Sequence, residues 1–538
     1  MRSILVSVLA GLQLLPLALA GGTLQLDLKR DASIAPALQR RQAIGINTFQ
    51  ADLVESPTLA KYFVNVSIGT PPQPLLLQLD TGSSDVWAIA SNAAVHPPAG
   101  TWPSGTPGGT FDSNKSSTFN DTLPGDFGEI FADDSYTLGD YFQDTFSIGG
   151  VSVEMFQMGI AINTTENTGI LGVGFVASED NGQGTPYPNL VDTLVSQTII
   201  STQAYSVWLD DVDAGKGQIL FGGIDTGKFT GTLANIAMYP SAASGNIDAM
   251  TVAFTSLSIT TSSGTTALTA SEFPATAAVL DTGTATTVLP DDLAQKLFDI
   301  SGATYNAGFD AAVLPCAARY VQGYLSFGFA GPDGPVIKVP ISEMIFPAII
   351  NGTTVSATVL FPKAAADDLL CLLNVTPLSV LSPGIPLLMG DSVLRSAYVV
   401  FDLANERIGL AQTNFNSTQS NVVPFESLSA AIPSATTVSE TSLTYSVTGT
   451  AVAHVTLSPF SQITTDFFSG SAGLAFSSVL AAVGSSTATT TGIQSTGTIT
   501  PASPAATTKS AASSSRPFTQ NLYIPFVLSA FLLYPLLF

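Results

Sequence analysis

Hydrophobic and polar positions alternate in short runs through residues 59–413 of the chain, and Gly, Pro, Asn and Asp separate these runs. Clear examples are residues 62–68, 204–209 and 397–401. Runs of this length between turn-forming residues are typical of β-strands. A helical pattern occurs at residues 290–298, with acidic residues in its first turn. The pattern therefore predicts an all-β fold with minor helix.

Residues 1–20 have the pattern of a secretory signal peptide. An apolar run follows a basic second residue, and the small residues Ala18 and Ala20 form a cleavage signal. A membrane-spanning anchor is the alternative interpretation, but the run is short and contains Pro16. We therefore expect the protein to be exported and this segment to be removed.

Residues 21–41 carry two dibasic pairs, Lys29-Arg30 and Arg40-Arg41. The whole chain has only 17 Lys and Arg residues, so two such pairs near its start favour processing sites. We expect this stretch to be a propeptide, and a solvated loop is the alternative.

The last part of the chain changes composition and then ends in an apolar tail. Residues 416–515 are rich in Ser, Thr and Ala, which is typical of an O-glycosylated stalk that packs no core. Small residues, a short polar spacer and a terminal apolar run follow in the order of a GPI-attachment signal. We expect residues 511–538 to be removed, with attachment at one of four candidates: Ser510, Ala511, Ala512 or Ser513. A tail that remains as a membrane anchor is the alternative.

The charge balance of the chain is strongly acidic. Its 17 Lys and Arg residues face 40 Asp and Glu residues, which gives a net charge of -23. A surface of this sign repels phosphate backbones, so nucleic acid is not expected as a partner. Hydrophobic residues make up 45% of the chain, which is enough for a large core.

Seven Asn-x-Ser/Thr triplets are candidate N-glycosylation sites. They begin at Asn65, Asn114, Asn120, Asn163, Asn351, Asn374 and Asn416. Such triplets also arise by chance in a Thr-rich chain. Together with the export signal they favour a glycoprotein.

The chain has two cysteines, Cys316 and Cys371, and two histidines, His96 and His454. These are too few for an ordinary structural zinc site, and no metal or cofactor is expected. In an exported protein a disulfide between the two cysteines is the favoured interpretation. Two buried free thiols are the alternative.

An imperfect internal repeat lies within the strand-rich region. Its first copy is an apolar run that ends in Asp-Thr-Gly-Ser at residues 80–83, with Ile-Leu-Gly following at 170–172. Its second copy ends in Asp-Thr-Gly-Thr at residues 281–284, with Leu-Met-Gly following at 388–390. Each copy thus places one Asp at the end of a strand.

The repeat can supply a pair of carboxyl groups, Asp80 and Asp281. Two facing carboxyls cannot both ionise easily, so the pair holds one shared proton. One member can then act as a base toward water while the other donates a proton to a carbonyl oxygen. Four neighbours are expected to orient the pair through tight turns or hydroxyl hydrogen bonds: Gly82, Gly283, Ser83 and Thr284.

A third Asp-Thr-Gly begins at Asp225. It does not follow a long apolar strand, and Lys228 stands where the other copies have a hydroxyl residue. We therefore expect this copy to be a surface turn outside the active site.

From about residue 62 to 412 the chain resembles the pepsin-like aspartic proteases, and most of all their fungal GPI-anchored, yapsin-like branch. The matching stretches occur in order at residues 68–73, 80–87, 222–225, 281–284, 389–391 and 400–402. The resemblance implies a bilobal fold, with lobes at about 59–235 and 236–413 and a substrate cleft between them. It implies that the Asp pair is catalytic, and it matches Cys316 and Cys371 to the family's second-lobe disulfide.

By the same resemblance, residues 131–135 correspond to the hairpin flap that covers the cleft. Phe131 stands at the position of a Tyr whose hydroxyl, in the family, bonds toward the Trp matched by Trp87. Flap ordering is therefore expected to be weaker. Asp133 matches the flap residue that contacts the substrate backbone, and Asp134 adds a charge near the cleft.

Together these features imply an exported, surface-anchored aspartic endopeptidase that cleaves protein or peptide substrates at acidic pH. We expect a monomer attached to the outer face of the plasma membrane or the cell wall. The alternative is a catalytically weak protein on a protease scaffold, with a structural or binding role in the wall. A degenerate scaffold is expected to lose an Asp or its hydroxyl partner, and both sets are intact. Phe131 alone favours the alternative.

Overall fold

The computed structural model describes residues 48–56, 61–97, 105–178, 186–242, 244–306, 309, 311–350, 353–444 and 498–499. The expected signal peptide, propeptide and GPI signal, with its candidates Ser510 to Ser513, lie outside the described residues. Within the described part no helix is both long and apolar enough to cross a membrane.

Short strands dominate the described chain. Those of its first half are β1 (Phe49–Ser56), β2 (Lys61–Ile68), β3 (Gln73–Asp80), β4 (Val86–Val95), β5 (Asn120–Ile130), β6 (Tyr136–Ile148), β7 (Val151–Thr164), β8 (Gly169–Gly172), β9 (Ala204–Trp208), β10 (Lys216–Phe221), β11 (Gly223–Asp225) and β12 (Phe229–Ala237). Those of its second half are β13 (Thr251–Thr261), β14 (Gly264–Ala267), β15 (Thr276–Leu280), β16 (Thr287–Leu289), β17 (Thr304–Asn306), β18 (Ala311–Pro315), β19 (Gly323–Phe329), β20 (Val336–Pro340), β21 (Ile345–Pro347), β22 (Ile349–Ile350), β23 (Thr353–Thr354), β24 (Leu370–Leu373), β25 (Val375–Pro377), β26 (Leu387–Met389), β27 (Ala397–Asp402), β28 (Arg407–Thr413), β29 (Val422–Pro424), β30 (Thr436–Thr437), β31 (Leu443–Thr444) and β32 (Thr498–Ile499).

Helices are few in the same residues. The α-helices are α1 (Leu190–Ser196), α2 (Asp291–Ser301) and α3 (Asp391–Leu394). Single 3-10 turns occur at Ser113–Lys115, Val176–Ser178, Cys316–Tyr320, Ile341–Met344, Ala357–Val359 and Leu378–Val380. The prediction of an all-β fold with minor helix is confirmed.

The helix expected at residues 290–298 is α2. Its first turn carries Asp291 and Asp292, whose charge suits the positive end of the helix dipole. It ends at Ser301, and the C-cap residue Gly302 takes the left-handed conformation with φ 71° that glycine adopts without steric cost. One face of the helix is buried against the sheets: Leu293, Ala294, Leu297, Phe298 and Ile300.

The strands form two large sheets, one centred on each half of the chain. The first has fourteen strands in the order β30-β12-β28-β27-β9-β10-β1-β2-β3-β8-β4-β7-β6-β5. The second contains the path β20-β19-β13-β15-β26-β16-β25. This is the two-lobed arrangement that was expected, although β27 and β28 from the second half pair with strands of the first.

Cys316 and Cys371 form a disulfide bond, with their Cα atoms 4.9 Å apart. Cys371 lies on β24 opposite Leu314 of β18, and the Cys316 amide donates to the carbonyl of Leu369. The predicted disulfide is confirmed, and the free-thiol alternative is wrong.

Residues 414–444, the C-terminal segment, pack on the body of the protein. β29 pairs with β11, and β30 pairs with β12. Phe425, Ile432 and Leu443 are each less than 5% exposed. A stalk that begins at residue 416 is therefore wrong at its start, because sparse apolar residues in this Ser/Thr-rich stretch complete the core.

Candidate active site

Two equivalent strands carry the candidate carboxyl groups. β3 ends at Asp80 and runs parallel to β8, with Asp80 opposite Gly172. β15 ends one residue before Asp281 and runs parallel to β26, with Leu280 opposite Met389. The apolar segments that the sequence repeat placed far along the chain are thus the direct neighbours of the Asp-bearing strands.

Each carboxyl group receives the same two hydrogen bonds. Oδ1 of Asp80 accepts from the Gly82 amide at 2.7 Å, and Oδ2 accepts from the Ser83 hydroxyl at 2.6 Å. In the second copy, Oδ1 of Asp281 accepts from the Gly283 amide at 2.7 Å. Its Oδ2 accepts from the Thr284 hydroxyl at 2.6 Å. The four residues predicted to orient the pair therefore all contact it.

The two loops are tied together by their Thr residues. The Thr81 amide donates to Oγ1 of Thr282 at 3.2 Å, and the Thr282 amide donates to Oγ1 of Thr81 at 3.0 Å. Each hydroxyl also donates to the opposite strand, Thr81 to the Leu280 carbonyl and Thr282 to the Leu79 carbonyl. These buried, reciprocal bonds fix the distance between the lobes at the site.

Glycine is required beside each Asp because the opposite carboxyl lies against it. A Cβ atom at Gly82 would lie 2.7 Å from Oδ1 of Asp281, and one at Gly283 would meet the Asp80 carboxyl. Both distances are too short for any side chain. The glycines therefore allow the two carboxyl groups to face each other directly.

Burial and the neighbouring charge of Asp80 raise the pKa of Asp281 to about 7. The exposed fractions of Asp80 and Asp281 are only 6% and 8%. Two carboxyls this close retain one proton between them through the acidic range. The pair can therefore offer a base and an acid at the same time.

A hairpin formed by β5 and β6 carries the residues expected in the flap. The Phe131 amide donates to the Ser135 carbonyl, which closes the turn. Oδ1 of Asp133 accepts from the Ser135 amide and hydroxyl inside this turn. Asp134, with φ 63°, accepts from the hydroxyl of Ser382 at 2.7 Å. The tip of the hairpin therefore reaches a loop of the second half of the chain.

The eukaryotic aspartyl protease family matches residues 61–413. The chain belongs to this family.

Fungal relatives extend the match over most of the protease. A probable aspartic-type endopeptidase opsB of Aspergillus oryzae is 32% identical over 423 residues, which are 77% of this chain and 81% of the relative. Secreted aspartic protease 4 of Candida albicans is 31% identical, over 67% of this chain and 78% of its own length. The chain is thus an aspartic-type endopeptidase.

The crystal structure of the aspartic proteinase from Irpex lacteus has the same fold. It superposes with a TM-score of 0.52 at 24% identity. The match covers 69% of this protease and all of the other chain. The two-lobed, mostly β architecture is therefore that of the family.

Trp87 lies under the flap of the protease and is fully buried. It packs on Phe127 of β5 with ring centroids 6.1 Å apart, and Phe131 lies at the edge of the same apolar cluster. Phe131 has no hydroxyl, and ring packing holds the flap strand over Trp87.

Two further acidic residues near the site were not singled out from the sequence. Asp85 is buried and accepts hydrogen bonds from the hydroxyls of Tyr141, at 3.5 Å, and Tyr187. Glu129, on β5, is close enough to Asp85 and Asp80 for their charges to act on it. The strand alternation of residues 127–131 could have indicated that Glu129 faces inward.

The third Asp-Thr-Gly is not a surface turn, so that expectation is wrong. Asp225 is completely buried and accepts hydrogen bonds from the Gly227 amide, the Ser420 hydroxyl and the Asn421 amide. Lys228 lies 4.0 Å over the ring of Trp208 and is also buried. The C-terminal segment covers this copy, a contact that no local sequence pattern indicates.

The glycosylation candidates differ in exposure. Asn114, Asn120 and Asn416 are exposed, whereas Asn163 and Asn374 are half-buried. Asn65 lies on β2 with its amide oxygen buried, which makes it the poorest acceptor. The last candidate, Asn351, lies outside the described residues.

No group of three or more His, Cys, Asp or Glu side chains in the described part of the protease could hold a metal ion.

Proposed function

We propose that the protein is a secreted, surface-anchored endopeptidase that hydrolyses peptide bonds at acidic pH through Asp80 and Asp281. The observation that carries this proposal is the facing pair itself. Each carboxyl is held by one amide and one hydroxyl, and the two lie so close that glycine is needed beside each. Such a pair with one proton suits hydrolysis without a covalent intermediate.

In the proposed mechanism the ionised member of the pair removes a proton from a water molecule. The resulting hydroxide attacks the scissile carbonyl carbon while the protonated member donates its proton to the carbonyl oxygen. Collapse of the tetrahedral intermediate breaks the C–N bond. One hydroxyl of the intermediate returns its proton to the second carboxylate as the carbonyl re-forms, and the nitrogen takes up the proton that the first carboxylate received. The pair ends with one proton, as it began, so no cofactor is needed.

The substrates are proteins or peptides that lie in the cleft under the flap. Asp133 and Asp134 are exposed carboxyl groups at the flap tip. They favour basic side chains next to the scissile bond, as in a yapsin-like enzyme. A peptide library with Lys, Arg or neutral residues at each position tests this preference.

Export and anchoring are supported by the ends of the sequence. The signal peptide pattern of residues 1–20 and the name of the secreted Candida albicans relative favour an extracellular enzyme. Residues 511–538 favour a GPI anchor, which would hold a monomeric enzyme at the plasma membrane or cell wall. The exposed Asn114, Asn120 and Asn416 are the sites most accessible to a glycan.

Catalysis is tested by cleavage of a denatured protein between about pH 3 and 6, with and without pepstatin. Wild type should cleave and pepstatin should inhibit it, and Asp281→Asn should be inactive while remaining folded. If wild type is folded but does not cleave any substrate, the alternative of a wall-structural or binding protein is correct.

Anchoring is tested by truncation just before Ser510, which should release a soluble, active enzyme. Phosphatidylinositol-specific phospholipase should release the intact form from cells, or glucanase should do so after transfer to wall glucan. Release by detergent alone, with Phe538 still present, would show that the tail spans the membrane.

A further inference from the structure

Glu129 lies on the inner face of β5, the first strand of the flap. Its neighbours Gly128 and Ile130 face outward, and Ile130 is 80% exposed. Oε2 of Glu129 is buried, although the residue as a whole is only partly so. Within the described residues this oxygen has no hydrogen-bond partner of good geometry. A buried carboxyl in this condition needs a physical explanation.

The groups around this carboxyl lie on several elements of the first lobe. Trp87 of β4 presents its buried indole N–H, which favours the ionised carboxylate. Asp85, Asp80 and Glu166 are acidic and favour the neutral carboxyl. Burial is the largest effect, and with these charges it raises the pKa of Glu129 well above its ordinary value.

Among these acidic groups, Asp85 has the largest effect on the pKa of Glu129. The Asp85 carboxyl is itself held in place by hydrogen bonds. The hydroxyls of Tyr141 on β6 and Tyr187 before α1 both donate to it. These hydroxyls hold the Asp85 carboxyl in place. An ionised Glu129 would stand among acidic groups that raise its pKa.

We propose that Glu129 is a positioning residue that couples closure of the flap to protonation. When Glu129 is neutral, β5 rests on Trp87 above the Asp pair. When Glu129 ionises, its carboxylate turns toward water and carries the flap strand away from Trp87. Glu129 does not touch the scissile bond, and the inference rests on the proposed function of the Asp pair.

Rising pH should have two separable effects on the kinetics of the enzyme. Loss of the shared proton from the Asp pair lowers kcat, because the acid is gone. Ionisation of Glu129 raises KM, because the flap no longer covers the substrate. With both groups intact, KM should rise by up to about tenfold per pH unit above the pKa of Glu129.

The test compares wild type with Glu129→Gln and with Glu154→Gln, a matched control at an exposed carboxyl of β7. kcat and KM are measured separately from acidic to neutral pH. Glu129→Gln should keep a flat KM over the range in which the KM of wild type rises. Its activity should therefore extend to higher pH with a shallower decline, while Glu154→Gln should behave as wild type.

Three results would overturn the proposal. One is a wild-type KM that stays constant while kcat falls, a measurement that needs no variant. Another is a pH profile of Glu129→Gln that is unchanged or moved to lower pH. The third is the same change in Glu154→Gln. If Glu129→Gln does not fold, Glu129→Met can be used for the same comparison, because Met has a similar volume and no charge.

A readout that needs no activity distinguishes failure of this inference from failure of the proposed function. The indole N–H resonance of Trp87, assigned with Trp87→Phe, should move with pH in wild type and not in Glu129→Gln. A resonance that does not titrate in wild type contradicts the coupling even if the enzyme is active. Titration in a protein without proteolysis supports the coupling and contradicts the catalytic role of the pair.

Discussion

The tripeptide Asp-Thr-Gly occurs three times in the chain and serves two purposes. In all three copies the Gly amide donates to Oδ1 of the Asp, at 2.7 Å for Asp80, 2.7 Å for Asp281 and 3.0 Å for Asp225. The local turn is therefore the same. The copies differ in what lies opposite: another carboxyl group for the first and second, and the C-terminal segment for the third.

This difference is the reason that we assign the proposed catalysis to two of the three copies. Asp80 and Asp281 face each other, and the charge of Asp80 together with burial raises the pKa of Asp281. Asp225 faces the Ser420 hydroxyl and the Asn421 amide, which satisfy its carboxylate. The same tripeptide therefore gives a reactive group when it faces a like charge and a structural clamp when it faces donors.

The largest expected effect comes from removing the partner of the third copy. A chain that stops after Thr413 loses the buried Phe425, Ile432 and Leu443. Its free energy of unfolding should therefore fall by about 5 kcal/mol or more. A chain that stops after Thr444 keeps this segment and should remain folded. Yield and thermal melting of the two truncations measure the difference. Equal stability would show that the C-terminal segment is not part of the domain.

The next effect separates the copies by activity. Asp281→Asn should lower kcat/KM by about 10³-fold or more, because the pair loses its acid–base function. Asp225→Asn should leave kcat/KM nearly intact but destabilise the fold by about 2 kcal/mol, because a charged acceptor with several donors is lost. Kinetics at acidic pH and chemical denaturation test the two variants. If Asp225→Asn is as inactive as Asp281→Asn, the choice of pair is wrong.

Substitutions of the glycines test the same difference between the copies of the tripeptide. Gly283→Ala places a methyl group against the Asp80 carboxyl, so kcat should fall by about 10²-fold. Gly227→Ala places its methyl 2.7 Å from the Gln419 carbonyl oxygen and should lower Tm with little change in kcat. Measuring kcat and Tm for both variants tests this. A large loss of kcat in Gly227→Ala would contradict the separation of the two roles.

The smallest effect concerns stability and pH. Burial raises the pKa of Asp281 to about 7 and that of Asp402 to about 6, both above their unfolded values. The folded state therefore binds more protons in this range, and its stability is complete at acidic pH and is lost as pH rises through these pKa values. We expect Tm to fall by several degrees from about pH 4 to 8, and Asp402→Asn to reduce the fall. A Tm that rises over this interval would contradict the assignment.

Much of the candidate active site, and the disulfide bond, could be predicted from the sequence. The repeat of an apolar strand, Asp-Thr-Gly and a later apolar pair identified the two residues that the structure brings together. A short-range pattern was sufficient because each Asp is held by its own loop. The disulfide was also predictable, since the chain has only two cysteines.

The wrong predictions concern residues that contact distant parts of the chain. Asp225 looks exposed in sequence because the residues that bury it lie almost 200 positions later, at Ser420 and Asn421. The role of residues 416–444 was missed for the same reason, since composition indicates a stalk but three apolar side chains decide its packing. Glu129 was missed because an acidic residue on a flap strand ordinarily faces water.

The order of strands in the fourteen-stranded sheet has a consequence for biosynthesis. β9 at residues 204–208 has β27 at residues 397–402 as one of its two neighbours, so one edge of β9 stays open until the ribosome has nearly finished the protease. An open edge invites pairing with other chains, and contacts of such sequence separation form slowly. The first lobe cannot complete its sheet as an independent unit, and separately expressed halves should each aggregate. The assembly of the active site is therefore an event of the whole chain, after translation of both lobes.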